Sequence, residues 1–188
     1  IVSIRRPIFY DRTLIWITIP LFLALAAGVT QLKFRFLILV AVGILGTNNL
    51  FAAADYYRFT QKEDWRTAAG YVANFAQKGD LVLFNATWVQ IPFDYYFHAY
   101  ENQYAIQIEK RGAPVDLFDS GVVEPKMTER DIPRLLSLID GRQRVWLVYS
   151  HDWYTDPQGL IPQTLASKMR LTRQRDFYGG RVQLYEAP

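Results

Sequence analysis

The sequence predicts an α/β protein with two N-terminal transmembrane helices, a small Rossmann-like extramembrane domain and a C-terminal antiparallel hairpin. Two long apolar runs lie within the first 54 residues, and strand-like and helix-like segments alternate after residue 60. Two adjacent glycines then separate two strand-like segments at the end of the chain. Alternating strands and helices are typical of a mainly parallel sheet, here with an antiparallel edge. We expect two domains, a last transmembrane hairpin over 1–59 and an exoplasmic α/β domain over 60–188.

Composition limits the function. The 188 residues carry a net charge of +3 and include no cysteine. The absence of cysteine excludes disulfides, thiol nucleophiles and cysteine-ligated zinc. A modest basic excess does not call for a nucleic-acid partner, and we expect none. The chain begins at Ile1 rather than at methionine, and we expect it to be part of a longer protein.

The two apolar runs extend over 13–30 and 34–54. At about 1.5 Å per residue, each is long enough to cross about 30 Å of hydrocarbon. Pro20 lies inside the first run, where a membrane helix tolerates it. Asn48 and Asn49 lie near the end of the second, and we expect them to reach the interface or a neighbouring helix. The alternative is a pair of buried helices in a large soluble core, which would usually carry a polar stripe.

Basic residues predict the orientation of this hairpin. Lys33 and Arg35 lie in the short connection, so the positive-inside rule places that connection in the cytoplasm and everything after Asp55 on the exoplasmic side. Arg5, Arg6 and Arg12 then lie on the side that the rule disfavours. An anionic ligand at the membrane surface would explain them, since arginine binds phosphate bidentately. An inverted hairpin, or simple contact with lipid head groups, would explain them too.

The remaining chain contains the elements of the α/β domain. Thr60 and Glu63 have the spacing of a capping box, ahead of an amphipathic helix that starts at Trp65 and stops before Asp80. Strands are predicted at 81–85, 104–108 and 144–150, helices at 93–102, 128–139 and 160–169, and a loop at 109–126. The segment 171–187 predicts a hairpin turned at Gly179 and Gly180.

Polar and aromatic side chains follow the two best strands. They are Asn85, Thr87 and Trp88 after the first, and His151, Asp152 and Trp153 after the other. Open α/β sheets bind ligands at the carboxyl ends of their strands. If the two strands are neighbours, these residues form a rim suited to stacking a sugar or to covering an active site. The alternative is a surface rim that is only anchored by its aromatics.

Two further patterns carry less weight. The consecutive residues Ser150, His151 and Asp152 resemble a catalytic triad, but neighbours at a strand end point to different sides, and we expect no proton relay there. The chain has only two histidines, so a multi-histidine metal site is ruled out and we predict no metal.

The quoted segments "RRPIFYDRTLIWITIPLFLALAAGV", "KEDWRTAAGYV", "KGDLVLF" and "FDYYF" together resemble the C-terminal part of bacterial GT-C type glycosyltransferases. That group includes the protein mannosyltransferases and the lipid A aminoarabinose transferases. The resemblance lies in the order and spacing of the segments and covers nearly the whole chain. It implies a multi-pass protein of the inner or plasma membrane that transfers a sugar from a polyprenyl-phosphate donor to an exoplasmic acceptor.

The resemblance also implies roles for individual residues. Arg12, and less directly Arg6, would hold the phosphate of the lipid donor, where fixed positive charge stabilises the departing group. The catalytic acidic residue would lie upstream of Ile1, so we expect no catalytic residue and no cofactor in this fragment, which alone would be inactive. Its partners would be membrane lipid, the lipid-linked sugar and the missing N-terminal transmembrane part.

Two other functions remain open from the sequence. One is a non-enzymatic, membrane-anchored α/β domain that binds a glycan or an assembly partner. The other is a soluble two-layer protein whose apolar helices form its core.

Overall fold

The computed structural model describes residues 11–31, 34–59, 62–104, 107–119 and 125–188. The chain divides into two compact units, Ile1–Thr60 and Gln61–Pro188. Among the described residues, the first contains two helices and the second contains the α/β sheet.

Among its described residues, the first unit contains α1, Asp11–Thr30, and α2, Arg35–Phe59. Within α2, the stretch Phe36–Arg58 has 23 residues, is buried nowhere in the structure, and is long and apolar enough to cross a membrane. The apolar stretch described in α1, Trp16–Thr30, is shorter than a typical span. One candidate span, rather than the two expected, is therefore found among the described residues. This span begins at Phe36, whereas the predicted apolar run began at residue 34 and therefore included Arg35.

Asn48 and Asn49 bond back to their own helix. Their side-chain amides donate to the carbonyls of Ile44 and Leu45, four residues earlier in the same helix, at 2.9 and 2.8 Å. Polar side chains that bond back to their own helix need no external partner, which suits an apolar surrounding. The expectation that these two residues reach the interface or a neighbouring helix stays a prediction.

The second unit is built on a five-stranded mixed sheet with the strand order β2-β1-β3-β5-β4. The strands are β1, Leu81–Asn85; β2, Glu109–Ala113; β3, Arg144–Tyr149; β4, Arg170–Phe177; and β5, Gly180–Glu186. β1 runs parallel to β2 and β3, whereas β5 runs antiparallel to β3 and β4. The predicted α/β class and the hairpin turned at Gly179 are confirmed, and the antiparallel part makes up two of the five strands.

Helices cover both faces of this sheet. They are α3, Trp65–Phe75; α4, Gln90–Tyr104; α5, Ile132–Ile139; α6, Asp152–Thr155; and α7, Leu160–Ala166. One core joins α3 and α4 to alternate residues of the strands, including Phe84 and Trp146. The other joins α5 and α7 to the intervening residues, including Leu83 and Leu147. The period-two alternation of β1 and β3 thus supplies both cores, and the unit has three layers.

Two local predictions differ from the described structure at the start of α3 and before β2. The N-cap of α3 is Asp64, whose carboxylate accepts the Thr67 amide at 3.1 Å; the capping box was predicted at Thr60, which lies outside the described residues. Of the predicted strand 104–108, residue 104 belongs to α4, residues 107 and 108 precede β2, which begins at Glu109, and 105 and 106 lie outside the described residues. The polar sequence of β2 matches a turn, but the strand forms because β1 offers it a parallel partner.

Candidate functional site

The carboxyl ends of β1 and β3 lie side by side. The two strands pair in parallel, with Phe84 opposite Val148, so the chain leaves both at the same edge of the sheet. The condition on which the predicted rim depended, that these two strands are neighbours, is met. Both exits turn sharply: Ala86 has a φ of 57° and His151 a φ of 52°, the left-handed region that non-glycine residues seldom adopt.

Asn85 joins the two exits instead of lining an open rim. Its side chain is fully buried, and its Nδ2 donates to the Ser150 carbonyl at 2.8 Å and to Thr155 Oγ1 at 2.9 Å. Thr87 is also buried, with 4% of its surface exposed. These two residues were expected on the rim, but they lie beneath it, where they hold the loops after β1 and β3 together.

Trp88 and His151 do meet at the surface. Their ring centroids are 5.5 Å apart in an edge-on arrangement. Half-buried Trp88 packs its other side against the core under α3 and α4. The pair therefore connects the loop after β1 to the loop after β3, as predicted for the rim.

His151 is held between a serine and a glutamate. Its Nδ1 lies 2.8 Å from Ser150 Oγ and its Nε2 lies 3.3 Å from Glu63 Oε1. The second oxygen of Glu63 accepts the Trp65 indole N–H at 2.8 Å. When the imidazole is protonated, it donates to both neighbours. This network ties the segment before α3 to the end of β3.

The contact between Ser150 and His151 corrects the expectation that these neighbours point apart. The left-handed backbone at His151 folds the ring back onto the serine, and the carboxylate beyond the ring belongs to Glu63 rather than to Asp152. The serine hydroxyl is not a free nucleophile, however. Ser150 is 1% exposed, and its Oγ donates to the Gly179 carbonyl at 2.5 Å. The arrangement orients the imidazole and holds the hydroxyl in a hydrogen bond to the backbone of the hairpin turn.

A cavity of about 500 Å³ opens beside this network. Its walls come from the loop after β3, from the turn of the β4–β5 hairpin and from Glu63. Trp153 is 75% exposed at its edge. Asp152 lines it as well, and Asp176 pairs with Arg181 at 2.5 Å on the hairpin side. An exposed indole beside carboxylates and a guanidinium offers a stacking platform next to hydrogen-bonding groups, the combination that a sugar ring or another polar ligand requires.

A buried tyrosine and aspartate support the loop that carries Trp153. Tyr149 donates its hydroxyl to Asp156 Oδ2 at 3.0 Å. Asp156 is buried and accepts the backbone amides of Leu160 and Ile161 at 2.8 and 2.9 Å, which caps α7. Burial, followed by the nearby Asp156 charge, raises the pKa of Tyr149. The tyrosine therefore remains a protonated donor, and the loop is fixed at its far end.

The lining residues missed from the predicted rim include Glu63, Asp176, Gly179 and Arg181. The signal for three of them was present, because the hairpin turn at Gly179 was predicted and β5 directly follows it. Had β5 been placed beside β3, its start would have been expected next to the end of β3. Nothing in the sequence near Glu63 pointed to the sheet edge.

Arg6 lies outside the described residues, and Arg12 lies in α1 without a described side chain. Their expected role toward a lipid phosphate therefore stays a prediction. Within the described ranges, no three histidine, aspartate or glutamate side chains are grouped closely enough to hold a metal ion. Comparison of the chain with protein-family models, with curated proteins and with solved structures finds no match.

Proposed function

We propose that the chain is the C-terminal part of an integral-membrane glycosyltransferase of the GT-C type, with its α/β domain on the exoplasmic side. The observation that carries the proposal is the order of units along the chain. An apolar helix long enough to cross a membrane, Phe36–Arg58, is followed by a compact α/β unit from Gln61 onward. The resemblance of the segments quoted above supplies the reaction, which is transfer of a sugar from a polyprenyl phosphate.

In this proposal the α/β domain assists rather than catalyses. Its cavity at the carboxyl edge offers an indole, carboxylates and a guanidinium, while the serine beside His151 is buried. Such a site can bind the sugar or the acceptor close to the membrane, with the reacting groups supplied by the part of the enzyme upstream of Ile1. Arg12 and Arg6 would bind the phosphate of the lipid donor.

The first experiment determines whether the chain is part of a larger membrane protein. An antibody against residues 60–188 is used to probe alkaline-washed membranes and the soluble fraction of native cells. We expect a membrane band well above the 21.9 kDa of this chain. A soluble band near 21.9 kDa would overturn both the membrane setting and the transferase.

The second experiment tests the lipid phosphate. In the full-length enzyme, Arg12→Ala should lower kcat/KM for the lipid-linked sugar, because a charge-assisted contact to the phosphate is lost. Arg35→Ala is the matched control, since it removes the same charge from the connection predicted to face the cytoplasm. Equal activity of the two variants would argue against the role of Arg12, and an intact parent without transferase activity would overturn the reaction.

A second candidate function rests on Trp153. An indole that is 75% exposed beside a polar cavity also suits a non-enzymatic domain that binds a cell-envelope glycan. Trp153→Ala should then weaken the binding of envelope oligosaccharides, whereas Tyr95→Ala, which removes a comparably exposed ring from α4, should not. Binding without transferase activity in the full-length protein would favour this candidate over the enzyme.

A further inference from the structure

Three arginines in the second unit lie over aromatic rings. Between the guanidinium carbon and the ring centroid, Arg66 is 5.3 Å from Tyr96, Arg173 is 4.4 Å from Phe75, and Arg175 is 5.4 Å from Tyr71. Stacking on a ring fixes the plane of a guanidinium and leaves the N–H groups along its edge free to bind an anion. The three arginines come from α3 and β4, which are far apart in sequence.

These arginines also lack carboxylate partners. Among the described residues, Arg66, Arg173 and Arg175 form no ion pair, while five other arginines do: Arg111, Arg134, Arg142, Arg144 and Arg181. The carboxylate next in sequence, Asp176, is occupied by Arg181. The positive charge of the three arginines is therefore not neutralised by the protein around them.

Two of the three line one cavity. A space of about 520 Å³ lies along α3, with Arg66 at one end of the helix face and Arg175 contributed by β4. Hydrogen-bonding side chains complete its lining: Thr67, Asn74 and Tyr100. Gly70 forms part of its floor, and a Cβ there would come within 3.0 Å of the Tyr100 hydroxyl. The glycine thus permits the close approach of α4 at this point.

This cavity is separate from the one at the carboxyl edge. Arg175 lines the former and its neighbour Asp176 lines the latter. Successive side chains of a strand point to opposite sides, so β4 contributes to both cavities from adjacent positions.

We propose that the cavity between Arg66 and Arg175 is a binding site for a phosphate group. Two guanidinium groups provide a charge that matches a phosphate, and their planar edges match its oxygens bidentately. Thr67 and Asn74 provide neutral donors beside them. The phosphate can belong to a lipid headgroup or to a soluble phosphate, since both present the same oxygens. The site goes beyond the proposed transferase, whose lipid phosphate is assigned to Arg12 and Arg6.

The test measures how fast each arginine reacts with phenylglyoxal, with the modified residues identified by mass spectrometry. The whole 188-residue chain is placed in nanodiscs of phosphatidylcholine, and inorganic phosphate is added. At a phosphate concentration about ten times the apparent Kd, modification of Arg66 and Arg175 should slow by about tenfold, since about a tenth of the sites remain free. Arg130 and Arg170 are the internal controls, because both are exposed and neither forms an ion pair within the described part of the chain.

A second arm distinguishes the source of the phosphate. The phosphatidylcholine is replaced in part by phosphatidylglycerol, with no inorganic phosphate present. Slower modification of Arg66 and Arg175 in these discs assigns the site to an anionic lipid headgroup, and slower modification only with inorganic phosphate assigns it to a soluble ligand. Either result supports the site. If neither addition protects these two residues more than Arg130 and Arg170, the proposal is overturned.

A variant tests whether the two arginines share one anion. In Arg175→Gln, the protection of Arg66 should be lost, whereas in the matched control Arg170→Gln, which removes an exposed charge from the same strand, it should persist. Protection of Arg66 that survives Arg175→Gln would overturn the shared site. Circular dichroism confirms that each variant is folded. The protection of Arg66 and Arg175 measured in the unmodified chain tests the phosphate site even if a variant fails to fold.

Discussion

Asn85→Ala should destabilise the α/β unit by about 2–4 kcal/mol. The substitution removes two hydrogen bonds from Nδ2, to the Ser150 carbonyl and to Thr155 Oγ1. Each such bond contributes about 1 kcal/mol net, and a buried acceptor left without its donor costs about 1–3 kcal/mol. The Oδ1 atom has no hydrogen-bond partner within the described structure, so the loss comes from the amide donor alone. Against a typical total of about 5–15 kcal/mol, this is a large fraction.

The assay is urea unfolding of the whole chain in detergent micelles, followed by tryptophan fluorescence at 25 °C. The midpoint should fall while the slope stays constant, because the same surface is exposed on unfolding. Asn102→Ala is the matched control: Asn102 is exposed and bonds only a neighbouring side chain, His98, so its loss should stay within about 0.5 kcal/mol. An Asn85→Ala protein as stable as the Asn102→Ala protein would refute the role of this residue as the link between the two strand exits.

Asn85→Asp tests the amide donor separately from the size of the side chain. It keeps the shape of the side chain but places an oxygen 2.8 Å from the Ser150 carbonyl oxygen, where the amide nitrogen now lies. Burial then raises the pKa of the new carboxyl in the folded state above its unfolded value near 3.9. Stability is retained while the carboxyl is protonated and is lost as the pH rises, so the variant should lose more stability at pH 8 than at pH 4. A deficit independent of pH would contradict the burial of this group.

Two further predictions concern the hairpin turn beside the site and a carboxylate at the start of β2, away from it. Gly179→Ala adds a Cβ 2.4 Å from the Glu63 side chain at a φ of +88°. It should cost more stability than Gly141→Ala, because Gly141 also has a positive φ but no atom within 4 Å of the added Cβ. The urea midpoint of the Gly179 variant should therefore be the lower of the two. The pKa of Glu109 is lowered chiefly by its hydrogen bond to Arg111. This carboxylate therefore contributes stability that is present above its ordinary pKa of 4.5 and lost as the pH falls below that value. In Glu109→Gln, the free energy of unfolding should therefore fall less steeply with decreasing pH than in the unmodified chain. Equal slopes for the two proteins would contradict this prediction.

The strands predicted correctly are those that can be recognised from their own residues, without knowledge of their partners. β1 and β3 are continuous apolar runs, because residues on both faces enter a core, and such runs are recognisable without knowing their partners. β2 was missed because its first three residues, Glu109, Lys110 and Arg111, are charged and none of them is buried. Lys110 there is satisfied by Asp94 and Glu101 of α4, both at 2.8 Å, and those contacts exist only once the helix and the strand are side by side.

The site was located in part for the same reason. The rule that ligands bind at the carboxyl ends of parallel strands led to Trp88, His151 and Trp153, which follow recognisable strands. It could not distinguish the buried Asn85 and Thr87 from their exposed neighbours, because burial depends on the loop packed above them. Nor could it find Glu63, whose contact with His151 joins residues 88 positions apart in the numbering.

The sequence by itself determined the apolar helix Phe36–Arg58, the alternation that makes the α/β unit and the turn at Gly179, since each depends on neighbours along the chain. Tertiary structure alone decided the rest. It turned His151 into the left-handed region and onto Ser150, and it brought Arg66 of one helix and Arg175 of a distant strand to the same cavity. The physical reason is that local patterns fix the identity of an element, whereas a site requires side chains from several elements, and their proximity is set only by the packing of helices against the sheet.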